Sequence, residues 1–227
     1  LADYLKEQGY FCGMITDMYH LFKANMNFSR SFHTWELIRG QERDNWKSGP
    51  VDRFNVRDYF PEEWYLGQPS EDYLSYYLFS TEHFETEEDW FAAQVMRSAV
   101  RWLDRTHSRQ PFFLYVDTFD PHEFFESPKG YAEMYYNDYP KKRTLWGYGY
   151  DREAPDERAL PWVKGLYSGK VTFTDRWVGF LLQAIDRLGL ADDTVVCLTS
   201  DHGTELYEHG EFFKEPRTLY NTTTGMP

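Results

Sequence analysis

The sequence predicts an α/β fold: a mostly parallel β-sheet sandwiched by helices. Three observations predict it. Residues 10–16, 112–116 and 194–200 are short apolar runs of the kind that fill buried strands. Each run follows a helical pattern, and helix–strand alternation gives a parallel sheet with helices on its faces. Each run is also followed by an aspartate, at Asp17, Asp117 and Asp201. Ligands of open α/β sheets bind at the carboxyl ends of the strands.

The elements follow in order. Leu1-Ala2-Asp3-Tyr4-Leu5-Lys6-Glu7-Gln8 has a helical pattern, with Gly9 as its stop. The first strand follows, Tyr10-Phe11-Cys12-Gly13-Met14-Ile15-Thr16. A second helix is expected from about residue 87 to 106, with Thr86 as N-cap and Asp89 at the capping-box position. Its Phe91, Val95, Val100, Trp102 and Leu103 fall near one broad face. Pro111 introduces the strand Phe112-Phe113-Leu114-Tyr115-Val116. A third helix is expected over about 162–188, where Leu166, Phe173, Trp177, Leu181, Ile185 and Leu188 recur at helical steps before Gly189. The last strand is Thr194-Val195-Val196-Cys197-Leu198-Thr199-Ser200, β-branched and uncharged.

The 227 residues suffice for one domain, or one and part of a second, with a real core. Aromatics make up 19% of the chain and supply much of its apolar bulk. A net charge of −13 argues against binding a nucleic-acid backbone, which needs clustered Lys and Arg. An anionic substrate would have to be met by a local positive site. Cys12 and Cys197 both lie in apolar runs and are read as buried thiols. No stretch reaches the 18 or so apolar residues of a membrane span. Oligomeric state and localisation are not legible.

Two stretches interrupt the alternation. Residues 40–85 and 118–160 are long, polar, aromatic and broken by prolines, as lids and binding loops are. The second carries Tyr131, Tyr135, Tyr136, Tyr139, Trp146, Tyr148 and Tyr150. These rings are read first as packing the loop onto the body, and second as stacking surfaces for a sugar or aryl group.

Chemistry-bearing residues converge on one edge of the expected sheet. Asp201 and His202 end one strand, and His122 lies in the loop that leaves another. Lys214 follows Asp201 by 13 residues. Each is weak alone: an Asp-His-Gly turn is commonly just a turn, and a histidine in a proline-rich loop commonly a surface residue. In combination the chemistry is coherent. Asp201 and His202 would bind a divalent cation, while Lys214 and His122 would neutralise and position an oxyanion or its leaving group.

The block Thr199-Ser200-Asp201-His202-Gly203, followed by Glu208-His209-Gly210 and Lys214, closely resembles the C-terminal metal and sulfate motif of the sulfatase family, in the alkaline phosphatase superfamily. Tyr167, Asp175, Val178-Gly179 and Leu188-Gly189-Leu190 are similar to the helix that precedes it there, and Phe112-Phe113-Leu114 with Pro121-His122 to the family's apolar strand and substrate-side histidine. Trp35 and Ile38-Arg39-Gly40-Gln41-Glu42 fit as well. The resemblance covers nearly the whole chain.

It implies that the chain is part of a catalytic domain that hydrolyses a sulfate ester, of a small molecule or a carbohydrate. Asp201 and His202 would be metal ligands, Lys214 would contact the sulfate oxygens, and His122 would sit at the sulfate or bridging oxygen as general acid for the leaving alcohol. His209 is read as a supporting residue. The resemblance implies calcium, whereas the imidazole donor suits manganese, zinc or iron better. The family's nucleophile is a formylglycine made from Cys or Ser in a Cys/Ser-x-Pro/Ala-x-Arg motif. Neither cysteine here opens one: Cys12 is followed by Ile15 and Thr16 at the third and fourth positions, Cys197 by Ser200 and Asp201. Residues 1–227 are therefore expected to be an internal piece of the domain, incomplete at both ends and inactive alone. The alternatives are a phosphonate or phosphate ester hydrolase of the same superfamily, and a non-catalytic binding homologue.

Overall fold

The computed structural model describes residues 1–41, 43–50, 52–55, 58–59, 71–139, 143–145, 159–214 and 219–225. A short helix α1 (Ala2–Glu7) leads into strand β1 (Phe11–Thr16). Gly9 makes the turn between them at a φ of 88°, a conformation that costs glycine little. Strand β2 (Thr34–Leu37), helices α2 (Glu71–Thr81) and α3 (Phe91–Thr106), and strand β3 (Phe112–Asp117) follow. The long helix α4 (Leu160–Arg187) comes next, then the two-residue strands β4 (Glu205–Leu206) and β5 (Phe212–Phe213), and a single turn α5 (Asn221–Thr224).

The main sheet has the order β2-β1-β3, all parallel, with Gly13 opposite Thr34 and Thr16 opposite Asp117. Alternation along the strands sorts their side chains into two layers, as a period of two requires. Phe11 and Ile15 of β1, with Phe112, Leu114 and Val116 of β3, pack against α3 and α4 through Val95, Ala99, Trp102, Phe173 and Trp177. Cys12, Met14, Phe113 and Tyr115 point the other way, onto Leu5 of α1 and Phe32. Helical layers on both faces bury the middle strand: Cys12 and Met14 are fully enclosed. Enclosing one side chain of that size contributes roughly 1.5–3 kcal/mol.

Helix α3 buries Phe91, Ala92, Val95, Met96, Ala99, Trp102 and Leu103, one stripe at helical spacing. The capping box lies just upstream: Thr86 and Asp89 cap a short 3₁₀ turn, Glu87–Asp89, that precedes α3. The Asp89 carboxylate accepts from the Thr86 and Glu85 amides at 2.8 and 3.0 Å. Those two amide bonds, first Thr86 and then Glu85, hold its carboxyl below the usual range. On α3 the Trp102 indole lies across Gly13, leaving no room for a β-carbon there, and donates to the Thr34 hydroxyl at 2.8 Å.

The structure corrects three expectations and adds three short strands. Residues 194–200 form no strand; Val195 is 96% and Leu198 68% exposed. An apolar run only gives a segment the capacity to be a buried strand, and a partner edge must complete it. Among the described residues no strand pairs with it. For the same reason Cys197 is exposed, while Cys12 is buried. Residues 40–85 are not all loop, because α2 lies within them and buries Leu74, Tyr77 and Leu78 at helical spacing. Strand β2 and the β4–β5 hairpin were not anticipated; strands of four and two residues carry too little pattern to read.

Of the aromatic loop, Tyr131 is buried against Phe173, and Tyr136 and Tyr139 pack beside α4. Gly169 of α4 permits this, since the backbone of Tyr131 and Ala132 occupies the space of any side chain there. Tyr135 is exposed, and Trp146, Tyr148 and Tyr150 lie outside the described residues.

Candidate active site

The site is built at the carboxyl ends of β1 and β3. Asp17, directly after β1, is fully buried and accepts from the Phe119 amide at 2.7 Å and the Thr118 hydroxyl at 3.3 Å. The loop after β3 is thereby tied to the end of β1. Burial first, then the charge of Asp120, pushes the Asp17 carboxyl well above the ordinary value, against the opposing Phe119 bond. Asp117 accepts from the Thr16 hydroxyl at 2.9 Å. Its carboxyl is also raised, mainly by burial with a further contribution from Asp201. Tyr115 is pushed up to about 12 by burial, Asp117 and Asp201. Both shifts also reflect the negative charge of Asp201 near the end of β3.

Further along the loop, Asp120 forms a buried ion pair with Lys170 of α4 at 2.8 Å and accepts from Gln41 at 3.1 Å. Lys170 also donates to the Phe124 carbonyl at 2.6 Å. Glu126 is held by Arg143, which donates to its Oε2 at 2.8 Å, and by the Tyr77 hydroxyl at 3.0 Å. This polar frame fixes the segment that carries His122.

At the centre stands Lys214. Its Nζ donates to His122 Nε2 at 2.8 Å and to His202 Nε2 at 3.1 Å. An ammonium has no acceptor, so both Nε2 atoms receive and both rings carry their proton on Nδ1. The other ring contacts agree: His202 Nδ1 donates to the Gly203 carbonyl at 2.7 Å, and His122 Nδ1 to the Glu123 carbonyl at 2.9 Å. The Glu123 carboxylate also stands 2.7 Å from His122 Nδ1. Burial would raise the Glu123 carboxyl, but the His122 contact and the Lys214 charge bring it below the usual range. Phe119 covers the His122 ring at 3.9 Å between centroids.

Lys214 emerges directly from β5. Its neighbour Phe213 has a φ of 72°, a left-handed conformation costing a non-glycine residue roughly 1–2 kcal/mol. Phe213 is buried beside Phe125 and Phe212, and that packing holds the backbone turned. The hairpin is secured by Glu205 of β4, which accepts from His209 at 2.9 Å and from the Thr222 hydroxyl. Burial would raise the Glu205 carboxyl, yet these bonds leave it lowered. His209 also stacks flat on Tyr220.

The sulfatase profile matches residues 1–224. The chain belongs to the sulfatase family. Relatives include iduronate 2-sulfatase from Mus musculus, 32% identical over 148 residues that cover 53% of this chain and 27% of that protein. Another is an arylsulfatase from Clostridium perfringens, 28% identical over 134 residues, covering 53% of this chain and 28% of that one. The chain thus spans under a third of the length of these curated relatives. Among solved structures, the phosphonate monoester hydrolase of Agrobacterium radiobacter superposes with a TM-score of 0.67 at 16% identity, over 100% of this chain and 51% of that one. At such identity the likeness is one of fold.

In this sulfatase-family chain the structure brings His122, His202 and Lys214 together, whereas Asp201 faces outward, its side chain 85% exposed. Asp201 Oδ2 is still only 3.5 Å from His202 Nε2, a spacing at which an oxygen and a nitrogen can share one cation. The donor pair would fit a divalent metal once Lys214 released His202 Nε2, whose lone pair it holds here, and it supplies only part of a shell. No group of three or more candidate ligands exists among the described residues. Sequence reasoning missed Glu123, Asp120 and Lys170. Lys170 had a legible signal: it falls on the apolar stripe of α4 between Leu166 and Phe173, where a charge must find a buried partner.

Proposed function

We propose that the protein to which this chain belongs hydrolyses a sulfate ester, and that these residues form the part of its active site that grips the sulfate and serves the leaving alcohol. One observation carries the reading: Lys214 stands between two imidazole Nε2 atoms, at 2.8 and 3.1 Å, in a chain of net charge −13. One ammonium flanked by two imidazoles forms a compact site carrying a local positive charge on an acidic protein, suited to a small tetrahedral oxyanion. The family to which the chain belongs, and the relatives with sulfatase names, support sulfate over other anions.

Each residue has a task that follows from its surroundings. Lys214 stabilises negative charge developing on the sulfate oxygens, from a site preorganised by the β4–β5 hairpin. His122, with Nδ1 engaged by Glu123, presents Nε2 to the substrate. There it first takes up a second proton from solvent, becoming imidazolium, and then passes that proton to the departing oxygen as the sulfur–oxygen bond breaks. Asp201 and His202 would hold a divalent cation, which we propose to be calcium, with manganese or zinc as the alternatives set by the imidazole donor. Such a cation supplies charge neutralisation at the sulfate and orientation of the attacking group. The family's formylglycine nucleophile would come from polypeptide beyond these 227 residues. A carbohydrate sulfate ester is the proposed natural substrate, supported by the name of the iduronate 2-sulfatase relative.

The test is turnover by the full-length gene product of 4-nitrophenyl sulfate against a 4-nitrophenyl phosphonate monoester. Preference for the sulfate is expected. Preference for the phosphonate, in line with the fold neighbours, would move the assignment to that branch of the superfamily. Binding of sulfate without turnover of either ester would mark a non-catalytic homologue.

A further inference from the structure

We propose that Lys170 is a positioning residue for His122, acting as a clamp on the loop that carries it; this rests on the reading of His122 as the proton donor. The Lys170 ammonium reaches the Asp120 carboxylate at 2.8 Å and the Phe124 carbonyl at 2.6 Å. Those partners lie two residues before His122 and two residues after it. One buried nitrogen therefore pins both ends of the five-residue segment whose middle meets Lys214. The clamp is enclosed, with Lys170 and Asp120 side chains 3% and 2% exposed. It is borne by α4, which is anchored in the core through Phe173 and Trp177.

A buried ion pair is by itself weak evidence of a stabilising role, since apolar replacement of both partners is often neutral for stability. The arrangement here has a geometric consequence instead. Gln41 also holds Asp120, and the Phe124 ring packs among Leu74, Tyr77, Leu78 and Phe91. What Lys170 adds is a single group that joins the Asp120 carboxylate to the Phe124 backbone carbonyl. Loss of Lys170 breaks that bridge and lets the backbone between residues 120 and 124 shift, carrying His122 from Lys214. A displacement of about 1 Å at a reacting group can cost on the order of 100-fold in rate.

The experiment compares the full-length protein with its Lys170→Met, Asp120→Asn and double variants. Melting temperature, turnover of an alkyl sulfate and of 4-nitrophenyl sulfate, and the crystallographic His122 Nε2–Lys214 Nζ separation are measured. Lys170→Met alone leaves a buried charge unpaired and is expected to melt early. The double variant removes both charges and is expected to melt close to wild type, yet with the two nitrogens parted beyond hydrogen-bonding distance. Its alkyl sulfate turnover is expected to fall about 100-fold, with a smaller loss for 4-nitrophenyl sulfate, whose leaving group needs no proton. A double variant that keeps both melting temperature and the His122–Lys214 contact would overturn the proposal and reduce Lys170 to a core ion pair. Should the double variant not fold, Asp120→Asn alone carries the same readout at reduced size. If the wild-type protein turned over no sulfate ester, the functional reading would fall, while the separation measured in the variant would still decide the clamp.

Discussion

Lys214 Nζ lies 2.8 Å from His122 Nε2, although 92 residues separate the two in the chain. One comes from the hairpin after α4 and the other from the loop after β3, so their contact is a product of packing between units. On the proposed reading, the two serve neighbouring oxygens of one ester, His122 as general acid and Lys214 as anion-binding ammonium.

Replacing His122 with alanine is expected to lower alkyl sulfate turnover by about 10²–10⁴-fold in the full-length protein, the usual worth of a positioned acid. Loss with 4-nitrophenyl sulfate should be much smaller. Equal losses for both esters, read from steady-state rates, would assign His122 to binding instead.

Lys214→Met is expected to reduce kcat on every sulfate ester by roughly 10²–10³-fold, the cost of removing one preorganised donor to a developing charge. Inhibition by inorganic sulfate should weaken in parallel. Unchanged sulfate inhibition would remove Lys214 from the anion site.

The proposed cation can be tested without turnover. Metal analysis of the full-length protein should find about one calcium per chain at this site, and His202→Ala or Asp201→Asn should lose it, since each removes one of few ligands. A full metal complement in both variants would show that the pair does not coordinate.

Asp17 predicts a dependence of stability on pH. Burial and Asp120 raise its carboxyl in the folded protein, so the native state keeps a proton that the unfolded chain has released. Stability from this group is present below the ordinary carboxylate range and is lost as pH rises toward the raised folded value. Asp17→Asn should therefore gain in melting temperature relative to wild type between pH 4 and pH 8. A difference that stays flat across that range would contradict the assignment.

Gly13→Ala should destabilise the fold by about 1–3 kcal/mol, because the new methyl meets the Trp102 indole in a packed core. Equilibrium urea denaturation would show it as a lower midpoint. An unchanged midpoint would mean that Trp102 shifts at no cost.

Much of the architecture was legible because it depends on local pattern. The β1 and β3 runs and the α3 and α4 stripes are periodic over enough residues to declare themselves, and Thr86 and Asp89 mark the approach to α3 through local hydrogen bonds. The sheet's parallel sense followed from helix–strand alternation alone. Short elements were not legible: β2, β4 and β5 are fixed by the neighbours they pair with. The run at 194–200 erred in the opposite direction, with a strong local pattern and no described partner strand.

The candidate site divides along the same line. Sequence by itself determined the chemical identities, that Asp201, His202, Lys214 and His122 are donor and acceptor types suited to a cation and an oxyanion, and the order in which they recur. Only the tertiary structure decided that three of them meet while Asp201 turns toward solvent, that Glu123 sits against His122, and that Lys170 reaches across from α4. Side-chain type is written residue by residue, but a hydrogen bond spanning 92 positions exists only once the hairpin after α4 and the loop after β3 have packed together.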